Sequence, residues 1–320
     1  ALPAAFVTLR RILARQTKRS ESIIHPNMHL LLDLGIDSIG KIDLIGAVEA
    51  QFATTIDDAA AAKIARVSDL LLVIGNREPI GGGSRATDRW RRWVGAGRTS
   101  QGNGSSRGGV AQARWLARRV LSACMNSYVR VESHGADNVP GTGPFILAPN
   151  HASHLDAPSV LAAVGGKRRV WVAGAEDYFF DTAIKRFVFG ELFDTIPFDR
   201  HADGVLGLRR CAEALARGDG LLMFPEGTRS LDGRMQPFKV GAAVLAVEHN
   251  APLVPVRIEG AYELFPKGRR MVRPGVVRVI FGKPMAAHRS ADGTEDYAVF
   301  SSLSRQLQGA VAALANGASP

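Results

Sequence analysis

Pro144-Phe-Ile-Leu-Ala-Pro149 runs directly into Asn150-His151-Ala-Ser153-His154-Leu-Asp156, and a helical pattern continues to Val164. A short apolar run, a polar loop and an apolar helix with Pro158 in its first turn make one strand–loop–helix step. Similar steps recur along the chain. Strand-like segments fall at Pro144–Pro149, Arg169–Ala173, Glu191–Pro197, Gly220–Phe224, Leu253–Ile258 and Val276–Phe281. Helical stretches fall at Asp156–Val164, Tyr178–Phe187, Leu206–Arg217, Val240–Asn250 and about Glu295–Leu314. This alternation predicts an α/β domain, a mainly parallel sheet flanked by helices, with its chemistry in loops after strand ends. Val110–Val129, with Trp115, Leu116, Val120, Leu121, Cys124, Met125 and Tyr128 against Arg114, Arg118 and Arg119, reads as an amphipathic helix before the first strand.

Upstream the periodicity is helical throughout. Phe6, Val7, Leu9, Ile12 and Leu13 share a face, as do Ile39, Ile42, Leu44, Ile45, Val48 and Phe52 after Ser38. Asp57-Asp58 caps a short piece, and Val67-Ser68-Asp69 caps a last one, Leu70–Ile74. A small all-α four-helix domain is expected over residues 1–75, joined by a basic linker at 76–109 to the α/β domain at 110–320. The linker is rich in Gly, Ser and Arg and holds Trp90 and Trp93 among arginines. Thirty-four flexible residues reach about 30–35 Å.

The 320 residues are 46% hydrophobic and 22% charged, which excludes wholesale disorder and a disulfide scaffold. Cys124 and Cys211, far apart and without metal spacing, read as reduced thiols. The net charge of +10 is unevenly spread: residues 1–19 carry +5, 20–75 carry −5, and 76–109 and 110–320 carry +5 each. A basic balance suits an anionic partner. With no zinc, helix-turn-helix or aromatic-basic signature, an anionic membrane surface or a phosphorylated substrate is expected rather than nucleic acid. No apolar run reaches the ~18 residues of a spanning helix. Ala1-Leu-Pro-Ala-Ala-Phe6 has neither a basic n-region nor an initiator Met, so the chain reads as processed or as part of something longer.

Two loops carry candidate chemistry. In the first, His151, His154 and Asp156 lack the spacing of known zinc motifs, so no metal is expected. His151 in the loop and Asp156 at the helix start can meet as a dyad, with the carboxylate fixing the imidazole tautomer. No G-x-S-x-G nucleophile is present, so the base is expected to act on a substrate hydroxyl. The second loop is Phe224-Pro-Glu226-Gly227-Thr228-Arg229-Ser230. Gly227 permits close backbone approach, Arg229 offers a planar fork to phosphate, and Thr228 adds a donor. Glu226 would repel phosphate, so it is expected to orient Arg229 or bind a hydroxyl. Arg200 and Lys239 are further candidate cations.

In the N-terminal domain, Leu34-Gly-Ile-Asp-Ser38-Ile39 resembles the acyl-carrier-protein attachment motif. The resemblance implies that Ser38, also a good N-cap by its type, is esterified with 4′-phosphopantetheine by a phosphopantetheinyl transferase. Lys41, where an acid is more usual, and the basic first helix depart from that pattern. Further on, Asn150–Asp156 resembles the H-x4-D block of the glycerophospholipid acyltransferase family, that of 1-acyl-glycerol-3-phosphate acyltransferase. Ile196-Pro-Phe-Asp-Arg200 is similar to its second block, Phe224–Ser230 to its third and Val254-Pro-Val256 to its fourth. This resemblance implies an α/β acyltransferase domain with His151 as general base and Asp156 as its orienter. It implies Glu226, Gly227, Arg229 and Arg200 at the glycerol phosphate of the acceptor.

The expected function is transfer of a fatty acyl group, from a carrier-bound or coenzyme A thioester, to a hydroxyl of glycerol 3-phosphate or lysophosphatidate. One alternative keeps the transfer but gives it another alcohol acceptor, with an upstream enzyme loading the carrier. Another is a non-catalytic carrier and membrane scaffold. The expected location is cytoplasmic, peripherally on the inner face of the membrane.

Overall fold

The structure is a computed structural model that describes residues 4–17, 19–36, 38–79, 128–166, 168–175, 194–198, 204–266, 268–269, 271–288 and 297–316. Arg200, Trp90, Trp93, Cys124, the stretch 110–127 and the helical stretch expected at Tyr178–Phe187 lie outside the described residues. The chain divides into two compact units.

The first unit contains α1 (Ala4–Thr17), α2 (Ser38–Phe52), α3 (Asp58–Lys63) and α4 (Val67–Ile74). Phe6, Leu9 and Leu13 line one side of α1 and are buried with Leu44, Ile45, Val48 and Phe52 of α2 and Val67, Leu70 and Ile74 of α4. Helical periodicity thus gives one apolar stripe per helix, and burying those stripes together makes the core. The caps fall where short acidic side chains stand. Asp57 accepts from the Ala60 N–H at 2.8 Å. Asp69 accepts from the Ala65 and Arg66 N–H groups at 2.9 and 2.8 Å, so α4 begins at Val67, three residues earlier than the apolar run suggests. Ser38 is the first residue of α2, and Gln16 of α1 donates to the Gly40 carbonyl at 2.6 Å, tying that helix start to α1. Lys41, one turn on, is held below its usual pKa by burial, with Asp69 opposing.

The second unit is a seven-stranded sheet: β1 (Val129–His134), β2 (Phe145–Pro149), β3 (Val170–Ala175), β4 (Thr195–Phe198), β5 (Gly220–Leu222), β6 (Leu253–Glu259) and β7 (Gly275–Phe281). Their order is β1-β7-β6-β2-β5-β3-β4. Every neighbouring pair is parallel except β6–β7. The central strand β2 is buried at every residue, as a strand covered on both faces must be. The helices are α5 (Asp156–Val164), α6 (Gly204–Ala216), α7 (Gly241–His249), the short α8 (Ala261–Leu264) and α9 (Tyr297–Ala313). Cys211 of α6 is buried, and burial pushes its thiol up to about 12, so it is inert packing.

Two expectations need correction. Val129 does not end a helix; it opens β1. β1 was not among the strand-like segments because Val129-Arg-Val-Glu-Ser-His134 alternates weakly and ends in polar residues. It is an outer strand with one well-buried side chain, Val129, and tertiary pairing with β7 decides its state. The strand expected at Gly220–Phe224 stops at Leu222; the Met223 N–H still bonds the Leu147 carbonyl at 3.0 Å, and Phe224 to Ser230 then builds the second loop.

Parallel pairing of β2 with both β5 and β6 brings their carboxyl ends to one edge. The loops after β2 and β5 are the two chemical loops. Gly260, after β6, turns the chain at φ 80°, and a Cβ there would strike the Val276 carbonyl. Only glycine lets α8 start so close to β7.

Candidate active site

The loop after β2 is fixed from beneath. Asn150 is buried and spans to β6, its side-chain amide donating to the Ile258 carbonyl at 3.0 Å and its oxygen accepting the Ile258 N–H at 2.7 Å. Ser153 Oγ accepts from the Leu155 N–H at 3.1 Å and donates to the Phe265 carbonyl at 2.7 Å. Asp156 opens α5, where a helix's positive end favours a carboxylate. Its Oδ2 accepts from the Ala152 N–H at 2.7 Å, the Ser153 N–H at 2.8 Å and His151 Nδ1 at 2.8 Å.

The structure therefore brings His151 and Asp156 together. Asp156 is 1% exposed, and the His151 side chain 18%. A carboxylate oxygen holding two backbone donors can only take a proton-bearing nitrogen as its third partner, so Nδ1 carries the hydrogen. Nε2 is then the ring's basic atom. The imidazole stacks on Phe224, ring centres 3.9 Å apart, which fixes its plane.

Glu226 has a different place from the one its charge suggested. It is 2% exposed. One oxygen accepts the His151 N–H at 2.7 Å and the other the Gln236 N–H at 2.9 Å. The Ser230 N–H closes the same junction on the His151 carbonyl at 2.8 Å. Glu226 thus laces the histidine loop to the second loop through backbone groups. Burial pushes its carboxyl up to about 7, against the two N–H groups, which lower it.

That value has a measurable consequence. The ordinary value of 4.5 lies below the folded-state value, so the folded protein keeps a proton that the unfolded chain releases. The group's contribution to stability is full below about 4.5 and is lost as pH rises to about 7. Thermal melts are expected to show wild type losing stability against Glu226→Gln across that window and running parallel to it above. Curves parallel throughout would mean that Glu226 is ionised at every pH tested.

Arg229 donates to Nε2 of His154, and the His154 ring lies 5.2 Å from Phe265. Burial first, then the Arg229 charge, lowers His154 to about 4, so at neutral pH it is an uncharged acceptor that can aim the guanidinium. Gly227 has φ 71°, and a Cβ there would sit 3.1 Å from Lys239 Cε and Nζ. The glycine lets the lysine side chain lie along the Glu226–Arg229 turn. Thr228 is exposed in that turn. Ser304 and Gln308 of α9 hold the other side of Lys239: Ser304 Oγ donates to its carbonyl at 2.9 Å, and Gln308 accepts the Phe238 N–H at 3.3 Å.

Sequence reasoning gave no role to Asn150, Phe224, Gln236, Ser304 or Gln308, and considered His154 only as a metal ligand. Ser304 and Gln308 stand four apart on one face of α9, but their target is far away in sequence. Among the described residues no group of three or more His, Cys, Asp or Glu could hold a metal ion.

A mainly parallel sheet with a half-buried His and a buried Asp paired after its central strand, and an arginine after the next, is an arrangement chemically able to take a proton from a hydroxyl beside an anionic group. Residues 130–259 match the acyltransferase family, and residues 7–74 match the family of the phosphopantetheine attachment site. The chain carries an acyltransferase-family domain behind a phosphopantetheine-attachment domain. A chloroplastic 1-acyl-sn-glycerol-3-phosphate acyltransferase of Brassica napus is 29% identical over 181 residues, covering 53% of this chain and 49% of its own length. The alpha form from Homo sapiens is 32% identical over 153 residues, 47% of this chain and 53% of its own. The chain thus spans about half the length of these curated relatives. The crystal structure of the 1-acyl-sn-glycerophosphate acyltransferase PlsC from Thermotoga maritima is similar with a TM-score of 0.50 at 26% identity, covering 64% of this chain and 82% of that one. No helix among the described residues is long and apolar enough to cross a membrane.

Proposed function

We propose that the protein transfers an acyl group from a thioester to a hydroxyl of lysophosphatidate or glycerol 3-phosphate, with His151 as general base. The observation that carries this reading is the Nδ1–H bond from His151 to an Asp156 already anchored by two backbone N–H groups. It leaves Nε2 to take the acceptor's hydroxyl proton as that oxygen attacks the thioester carbonyl. The carbonyl π electrons move to oxygen, then return as the C–S bond breaks. The thiolate takes the proton from Nε2, so the ring ends as it began. Asp156 stabilises the imidazolium between those two events.

Arg229, with Thr228 and Lys239 beside Gly227, is the set for the acceptor's phosphate, and Arg200 is a further candidate. A phosphate held there positions the hydroxyl at Nε2. Glu226 acts on this set through the backbone. His154 acts by aiming Arg229. His154→Phe is therefore expected to raise KM for the acceptor about tenfold, the scale of a hydrogen bond to a charged group, with kcat little changed. An equal fall in kcat at saturating acceptor would place His154 in the chemical step instead.

We assign the donor to the chain's own carrier domain. Ser38 opens α2, where a helix's positive end suits an attached phosphodiester. When bound, 4′-phosphopantetheine supplies a thiol on which an acyl thioester can ride. The presence of both domains on one chain supports this, because covalent linkage makes delivery intramolecular, with an effective concentration of order mM without tight docking. A phosphopantetheinyl transferase and an acyl-loading enzyme are the partners implied. Steady-state assays with lysophosphatidate and with glycerol 3-phosphate, against wild type and His151→Ala, test the reading. Activity with neither acceptor would turn it to a different alcohol.

A further inference from the structure

Helix α9, far along the chain, reaches back to the second loop. Phe300, Ser304, Leu307 and Val311 of this helix are buried, and Gln308 is half-buried beside them. Two polar side chains thus stand in the stripe that an amphipathic helix turns to the core. Burying them costs stability unless each finds a hydrogen-bond partner. A serine inside a helix has one close at hand, the carbonyl one turn back. Ser304 Oγ reaches out of its helix and donates to the Lys239 carbonyl at 2.9 Å. Gln308 meets the same segment twice: its oxygen accepts the Phe238 N–H at 3.3 Å, and its amide nitrogen donates to the Gln236 carbonyl at 3.5 Å.

The second loop holds that segment from the other side. The Gln236 N–H bonds Glu226 at 2.9 Å, and the Lys239 N–H bonds the Pro225 carbonyl at 2.9 Å. The backbone of Gln236, Phe238 and Lys239 is therefore clamped between Pro225–Glu226 and α9. Val240 follows at once as the N-cap of α7, which leaves no slack after the lysine. Lys239 itself is exposed, and its Cε and Nζ pass 3.1 Å from the place of a Cβ on Gly227. Lysine carries its charge on a flexible four-carbon stem, so the reach of its ammonium depends on where its backbone is held. Ser304, Gln308 and Lys239 all belong to the second unit, and α9 lies beyond the stretch that matches the acyltransferase family.

We propose that Ser304 and Gln308 are positioning residues for the acceptor's phosphate: they fix the Gln236–Lys239 backbone so that the Lys239 ammonium stays at the Glu226–Arg229 turn. They act through Lys239 and touch no substrate. The inference rests on the reading of that turn as the phosphate set, and it names what aims one of the set's cations.

The test is a double-mutant cycle on the full chain, read by KM for lysophosphatidate and by equilibrium binding of glycerol 3-phosphate and inorganic phosphate. Ser304→Ala with Gln308→Leu keeps the helix face apolar and removes all three bonds. This pair is expected to weaken phosphate binding and raise KM about tenfold, with kcat little changed. In a Lys239→Met background the same pair is expected to change binding by less than about twofold, because the group it aims is gone. Ser304→Ala alone, the milder change, is expected to show the same coupling at smaller size if the pair folds poorly. Gln308→Glu keeps the acceptor for the Phe238 N–H and is expected to recover part of the loss. Gln306→Ala, exposed on the same helix, is expected to change nothing. An equal loss with and without Lys239 would overturn the proposal, since general loosening of the fold adds to the lysine's loss rather than merging with it. Wild-type binding in the folded pair, or in Lys239→Met itself, would also overturn it. Coupled phosphate binding without turnover of lysophosphatidate or glycerol 3-phosphate would uphold it and move the acyl-transfer reading to another acceptor.

Discussion

His151→Ala is expected to lower the acyl-transfer rate by about a thousandfold, within the range for removal of a general base, or roughly 4 kcal/mol of barrier. The fall should appear in kcat more than in KM, because Nε2 meets the hydroxyl proton only as the C–O bond forms. Folding should survive, since the backbone N–H and carbonyl of His151, which bond Glu226 and Ser230, are kept in the alanine variant. Asp156→Asn is expected to cost at least about a hundredfold, and for two reasons. An amide no longer stabilises the imidazolium. It also cannot accept the three donors that converge on Oδ2, so the Ala152–Ser153 turn loosens. Comparison of thermal melts with rates separates the two: His151→Ala loses rate and keeps its melting temperature, whereas Asp156→Asn loses part of both. Wild-type turnover in His151→Ala would remove the dyad from the mechanism.

Ser38→Ala is expected to abolish acyl transfer from the protein's own carrier while sparing transfer from saturating acyl-coenzyme A. The reasoning is one of supply rather than chemistry. Ser38 lies in the first unit, whereas His151, Asp156, Thr228, Arg229 and Lys239 lie in the second. A tethered thioester works at an effective concentration of order mM, so its loss is felt most when free donor is scarce. Rates measured over a range of acyl-coenzyme A should converge for wild type and Ser38→Ala at high donor and separate at low donor. Loss of the acyl-coenzyme A reaction as well would show that the serine does more than deliver.

Much of this was readable in the chain because each feature rests on local chemistry. Strand β2, the loop after it and helix α5 follow from an apolar run, polar residues and Pro158 in the first helical turn. The His151–Asp156 contact was legible because only four residues separate them across one loop. β1 was not legible, since its state comes from pairing with β7 nearly 150 residues away. Glu226 shows a second limit. Its charge beside Arg229 suggested orienting that arginine or binding a hydroxyl, whereas its two oxygens, buried, accept the backbone N–H groups of His151 and Gln236. A residue type states what a group can do; only its surroundings state which partner it takes. His154 is the converse case. Its residue type raised it as a possible metal ligand, which its spacing spoke against, and packing beside Arg229 makes it an uncharged acceptor.

The most direct measurement follows one acyl group by intact mass. The full chain is given its phosphopantetheine arm and an acyl load, then mixed with lysophosphatidate in a single turnover. Wild type is expected to lose the acyl mass as phosphatidic acid appears, while His151→Ala loads equally and holds its acyl group. Discharge at the same rate in both, or an acyl load that never leaves the wild-type carrier, would contradict the proposed mechanism.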